Sequence, residues 1–142
     1  TPHAKVIMIE LIVYGTPIPL KRHRHLRSGH TYDPSKSDKR YFLASVLNMA
    51  PKSPEYGPIS MSLEFYMDRP KAHYRTGKYS HILKDNAPTW HTSRGDIDNY
   101  VKLVLDALNG VFYKDDSQVC ILETIKKYSS NPRTVIQIKV AE

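Results

Sequence analysis

Residues 94–119 read RGDIDNYVKLVLDALNGVFYKDDSQV. Apolar side chains recur at Ile97, Tyr100, Val101, Val104, Leu105 and Leu108. The spacing i, i+3, i+4, i+7, i+8, i+11 is the stripe of an amphipathic helix. Asn109-Gly110 supplies the stop expected after such a stripe. Asp98, Lys102 and Asp106, four residues apart, form a row on the opposite side. Val111, Phe112 and Tyr113 follow, then a Lys-Asp-Asp-Ser turn and an apolar run from Val119.

The acids carry the chemistry. Residues two apart on a helix point about 200° from each other. Asp96 and Asp98 therefore share a ligand only if Asp96 lies at or before the N-cap, where the chain is extended. Thr92, Ser93 and Gly95 favour a non-helical approach. Asp116, ahead of the following strand, is placed to close the site. Three converging carboxylates repel one another unless a cation sits between them. Hard oxygen ligands with positions left for water and phosphate describe a Mg²⁺ site, with Mn²⁺ as a substitute. Lys102, one turn beyond Asp98, is placed to neutralise a phosphate oxygen or orient a water.

A purely structural reading stands beside this one. Asp at a helix start caps free N–H groups and favours the positive end of the dipole. Asp115-Asp116-Ser117 is an ordinary turn. The Asp98–Lys102–Asp106 row is then a solvated face of ion pairs.

GDIDNYVKLVLDALNG followed by DDSQV resembles the signature of the RusA family of Holliday junction resolvases. Arg69-Pro70-Lys71, His91-Thr92 and Lys126 or Lys127 are compatible flanks. The resemblance implies that Asp96, Asp98 and Asp116 hold the metal. Lys102 matches the motif lysine and Asn99 the motif asparagine. Asp115 matches the first Asp of the later pair, as a ligand or as a shaper of the turn. Gly95 stands where many members have Pro, which loosens the approach to the helix. The resemblance further implies a Mg²⁺-dependent endodeoxyribonuclease that cuts four-way junctions by paired, symmetric nicks in recombination and repair. It implies a homodimer, because a junction offers two equivalent strands to a twofold enzyme. Two alternatives stay open: a nuclease of forks, flaps or other branched DNA, and a non-catalytic nucleic-acid-binding protein. The family is frequent in phages and prophages, so an intracellular setting in bacteria or phage-infected cells is expected.

Charge fits a polyanion partner. The 142 residues carry a formal net charge of +7, and the sequence pI is about 9.5. The length suits a single domain, residues 1–142. No stretch approaches a membrane span and no secretory signal is visible. Cys120 excludes an intrachain disulfide, and its apolar strand predicts a buried structural thiol.

Outward from the motif, residues 68–93 show little periodicity. Arg69, Lys71, Arg75, Lys78 and Lys84 alternate with Tyr74, Tyr79 and Trp90. Interleaved rings and cations suit contact with bases and phosphates; the alternative is a mobile linker with Trp90 packed on the core. Residues 21–32, KRHRHLRSGHTY, form the densest basic segment. Lys21, Arg22, Arg24 and Arg27 there, with Lys71, Arg75, Lys78 and Arg94, are the candidate DNA-binding cations. His23, His25 and His30 match no standard zinc spacing.

The remaining segments complete a fold. Residues 6–14 read as a strand, apolar enough for a central, two-sided burial. Residues 34–50 read as a helix, capped by Ser35 or Ser37. Residues 59–67 alternate, with Ile59, Met61, Leu63, Phe65 and Met67 inward. Residues 118–128 and 134–140 are strands, the second with Thr134, Ile136, Ile138 and Val140 on one face. The Ser129-Ser130-Asn131-Pro132 connection predicts an antiparallel hairpin between them. The order βαβαββ is an α+β domain: a mixed sheet of about four strands with two main helices.

Overall fold

In the computed structural model, residues 8–21 and 24–142 are described, residues 24 and 25 by their backbone alone. Residues 6 and 7 of the expected first strand, Arg22, His23 and the side chains of Arg24 and His25 lie outside the described residues.

The alternation in residues 59–67 becomes the central strand. We number the strands β1 (Met8–Tyr14), β2 (Arg24–His25), β3 (Thr31–Tyr32), β4 (Ile59–Asp68), β5 (Val119–Ser129) and β6 (Arg133–Val140), and the helices α1 (Lys36–Val46) and α2 (Ile97–Leu108). The main sheet runs β1-β6-β4-β5, while β2 and β3 form a small separate ribbon. β4 is antiparallel to β6 and parallel to β5. In register across the sheet, Leu63 faces Ile136, and Ile136 faces Leu11. All three are buried, as are Met61, Ile138, Phe65 and Thr134 in the neighbouring rows. Period-2 alternation sends this one face inward. α1 and α2 pack on it, contributing Phe42, Val46, Tyr100, Val101, Leu103, Val104, Ala107 and Leu108 to one core. Leu103 and Ala107 widen the α2 stripe beyond the residues that the spacing marks.

Two expectations are corrected. Among the described residues β1 is an edge strand, paired only with β6, and its Tyr14 stays 68% exposed. An apolar run is compatible with an edge strand whose second face remains wet. β5 and β6 also form no hairpin ladder, because β4 lies between them. Their directions are antiparallel as expected. The chain enters β5 from α2, and the β4–α2–β5 crossover unit joins parallel neighbours. Ser130-Asn131-Pro132 then spans the two strand spacings over the end of β4, about 10 Å, within the reach of an extended segment.

The helix ends are built from local chemistry. Ser35 occupies the N-cap position of α1 without capping it. Its hydroxyl instead accepts from Lys21 N at 2.7 Å. A 3₁₀ turn, Leu47–Met49, finishes the helical segment. Among the described residues, no helix is long and apolar enough to cross a membrane.

Candidate active site

α2 starts where the carboxylate argument requires. Asp96 is its N-cap residue, extended at φ −77° and ψ 136°, and its side chain makes no capping hydrogen bond. Asp98 lies in the first turn, and both acids are exposed. Simple capping therefore does not occupy the Asp96 carboxylate.

The approach to Asp96 is held from three sides. Gly95 has φ +114°, a region that disfavours L side chains. A Cβ there would stand 2.5 Å from the Tyr100 hydroxyl oxygen, and Tyr100 is buried. Lys126 Nζ donates to the Gly95 carbonyl. The Gly in place of Pro thus leaves the approach tight rather than loosened. Ser93 Oγ lies 2.9 Å from the Tyr128 hydroxyl, which ties the same segment to the end of β5. Leu20 N donates to the Asn99 carbonyl at 2.9 Å, so the chain enters the basic segment beside the first turn of α2.

Asp115 and Asp116 have different surroundings. The Asp115 carboxylate accepts from Ser117 N at 3.1 Å and caps the 3₁₀ turn Asp116–Gln118. Those Ser117 bonds, helped by Asn109, hold its carboxyl below the usual range. Gln118 completes the capping box, its Oε1 accepting from Asp115 N at 2.7 Å. Its Nε2 donates to the carbonyls of Glu55 and Gly57, both at 2.8 Å. Gln118 therefore clamps the 52–58 connection to the turn that presents Asp116. Sequence reasoning did not give this residue a role.

Asp116 lies toward the far end of α2, within electrostatic range of Asp106 and Tyr113. Burial raises the Asp106 carboxyl above its usual value; Lys39 and Lys102 oppose the rise, while Asp116 and Asp33 add to it. Lys39 itself pairs with Asp33 at 2.5 Å. Burial likewise pushes up the Tyr113 phenol, which donates to the Leu105 carbonyl at 2.5 Å. Asp98 and Asp106 are eight residues apart, about 12 Å along the helix. Among the described residues, no three His, Cys, Asp or Glu side chains stand together closely enough to hold a metal. Asp96 and Asp98 thus stand at the start of α2, while Asp116 acts electrostatically on Asp106 in its last turns. Lys102 is exposed between these positions, and no ion pair among the described residues engages it.

The cations are distributed around the N-terminal end of α2 and beyond it. Residues 68–93 are ordered by their own turns, Lys71–His73 and Gly77–Tyr79, and by Arg75 N donating to Ile82 O at 2.8 Å. Tyr128 anchors the segment: the His73 and His91 rings meet it edge-on at 4.7 and 4.9 Å, and the Arg69 guanidinium stacks at 5.4 Å. Trp90 is not packed on the core; it is 55% exposed, with the Lys127 ammonium 4.7 Å from its ring centroid. Lys71, Lys78, Arg94 and Arg27 are exposed. Arg75 pairs with Asp85 at 3.5 Å and Lys21 with Asp38 at 3.7 Å, so some of their charge is already answered. Burial, then Lys126, lowers the basicity of His91, whose buried Nδ1 has no hydrogen-bond partner.

A basic α+β domain with exposed acids at a helix start and exposed rings and cations nearby is the class that fold and surface define. The family model for endodeoxyribonuclease RusA matches residues 14–139, most of the chain. The chain belongs to the RusA family of endodeoxyribonucleases. It is also 38% identical over 136 residues to the uncharacterized protein YqaN of Bacillus subtilis (strain 168), covering 92% of this chain and 95% of that protein.

Proposed function

We propose that this protein resolves Holliday junctions as a Mg²⁺-dependent homodimeric endodeoxyribonuclease in DNA recombination and repair, within bacterial or phage-infected cells. The observation that carries this reading is the family match over most of the chain together with Asp96, free of a capping hydrogen bond, and Asp98, both exposed at the start of α2. Asp96, Asp98 and Asp116 are hard oxygen donors and suit Mg²⁺ or Mn²⁺ in chemistry. A bound divalent ion supplies an activated water and charge stabilisation for phosphodiester hydrolysis.

The chain's own residues do the rest. Lys102, exposed and in no ion pair among the described residues, meets a phosphate oxygen or orients the water. Asn99 supports the first turn through its backbone, and Asp115 shapes the turn that offers Asp116. Lys21, Arg22, Arg24, Arg27, Lys71, Arg75, Lys78 and Arg94 grip phosphates, while Trp90 and Tyr79 offer faces for bases. Placement and charge supply most of the catalysis in this chemistry.

The test is cleavage of a labelled four-way junction beside a fork and a linear duplex, with Mg²⁺ and with EDTA. Paired symmetric nicks in the junction alone are expected, abolished by EDTA. Asp96→Asn should lower cutting on the order of 10²-fold or more while binding persists. Equal cutting of the fork would reassign the protein to general branched-DNA cleavage. Binding without cutting would leave the acids as structural groups.

A further inference from the structure

The outward face of the main sheet carries a row of alternating rings and cations, and we infer that this row is a track for an unpaired DNA strand. The choice of DNA rests on the nuclease reading above. The row itself rests on strand register.

Tyr14 pairs with Arg133, Arg133 with Tyr66, and Tyr66 with Lys127. An isolated antiparallel bridge then sets Trp90 beside Lys127, outside β5. Paired residues share a face, and their neighbours along each strand point the other way. Val13, Thr134, Phe65 and Tyr128 are such neighbours, and all four are buried. The row therefore lies on the face turned away from α1 and α2. Tyr14, Arg133, Tyr66, Lys127 and Trp90 cross four strand spacings, about 19 Å, with a ring at every second position. Tyr14 and Trp90, at the two ends, are exposed, and the three residues between them are half-buried.

The side chains of the row are held by their neighbours. The Lys127 ammonium stands 4.7 Å from the Trp90 ring centroid, and the Arg133 guanidinium 4.0 Å from that of Tyr66. Arg133 Nη1 also donates to Asn131 O at 2.8 Å. Tyr128 N donates to Thr89 O at 2.9 Å and His91 N to Lys126 O at 3.2 Å, which fixes the backbone on both sides of Trp90. Among the described residues no ion pair engages Lys127 or Arg133. Glu64 and Asp68 stand two positions to either side of Tyr66 along β4, and the Tyr66 hydroxyl donates to Glu64 at 3.1 Å. Period 2 puts these acids on the same face, where they repel phosphates on both flanks and confine a polyanion to the row.

The chemistry of the row selects its occupant. Rings accept the π-face of any base, and cations between them meet the phosphates. Guanidinium planes accept bases as well. An apolar protein surface laid here would bury Lys127 and Arg133 without counter-charges. A duplex keeps its base faces stacked inside, so rings and cations in alternation favour an unpaired strand over a paired one. The Trp90 end of the track adjoins the acids. Lys126, next in the chain to Lys127, reaches the helix side of the sheet and donates to the carbonyl of Gly95, the residue before Asp96. A strand opened at a branch thus has a place to lie while the adjoining duplex meets the cations around α2.

Trp90 is the only tryptophan in the chain, so its emission reports on the track directly. Binding of an oligothymidylate of about twelve nucleotides is followed in EDTA, by anisotropy of a fluorescein label and by tryptophan emission with the unlabelled strand. Binding should quench Trp90. Tyr14→Ala and Trp90→Ala should each weaken binding on the order of tenfold with native circular dichroism, and Tyr14→Phe, which keeps the ring, should bind as wild type does. Lys139→Ala removes a cation from the same face outside the row and should leave affinity near that of wild type. Equal weakening by Lys139→Ala, or binding that leaves Trp90 emission unchanged, would reduce the row to general surface charge and overturn the track. A Tyr14→Ala protein whose sedimentation falls to that of a smaller species would make this face a contact between copies, which also overturns it. A wild type that nicks four-way junctions with Mg²⁺ but binds no oligothymidylate would overturn the track alone. A wild type that binds through the row yet nicks nothing would overturn the nuclease reading and leave the track standing.

Discussion

At Gly95 a single missing Cβ governs the entry to the acidic end of α2. Its φ is +114°, and an added Cβ would meet the buried Tyr100 ring at 2.5–3.1 Å. Gly95→Ala should destabilise the fold by about 1–3 kcal/mol and weaken cutting, measured by urea unfolding and junction assay. His91 adds a pH dependence. Burial and Lys126 depress its folded-state pKa below the ordinary value of 6.5. Below about pH 6.5 the unfolded chain takes up the proton first, so stability is present above that pH and falls on acidification toward the depressed folded value. Wild type should lose stability between pH 7 and pH 5, and His91→Phe, which keeps a ring beside Tyr128, should lose less. Equal losses in urea unfolding would remove His91 from that account. The sequence makes Asp96 a candidate through helix geometry alone. It does not reveal Gly95 as a contact point, because Tyr100 meets it only after the helix turns back over the segment.

At the scale of elements, the turn before β5 is more than an acidic loop. Gln118 joins the Asp115 cap to the Glu55 and Gly57 carbonyls. Gln118→Ala leaves two carbonyls and one N–H without these partners and should cost about 1–3 kcal/mol. Differential thermal melts would show it, and an unchanged Tm would mean that water replaces the clamp. The amphipathic α2 and the alternating β4 are legible because periods of 3.6 and 2 survive in the residues themselves. The Gln118 clamp is not, since its partners lie sixty residues upstream. Cys120 teaches the same lesson: an apolar run predicts burial, yet the thiol is exposed on the edge strand β5.

For the whole molecule, strand order decides what is exposed. Placing β4 between β5 and β6 leaves β1 and β5 as edges and puts both helices on one face. The opposite face carries mixed contacts, such as Gln137 Nε2 donating to Glu10 at 3.1 Å and the Arg133 guanidinium 4.0 Å over Tyr66. Basic residues gather outside the core, where a net charge of +7 draws a polyanion and makes binding sensitive to salt. The sequence by itself determined the α+β class, the family motif, the inward faces of β4 and α2, and the basic character. Each of these is a property of local spacing or composition. Only the tertiary structure decided that β5 and β6 are separated, that residues 68–93 wrap onto Tyr128, and that the acids divide between the two ends of α2. Those outcomes depend on which distant segments share the sheet, and pairing energy between strands is not encoded in the period of either strand alone.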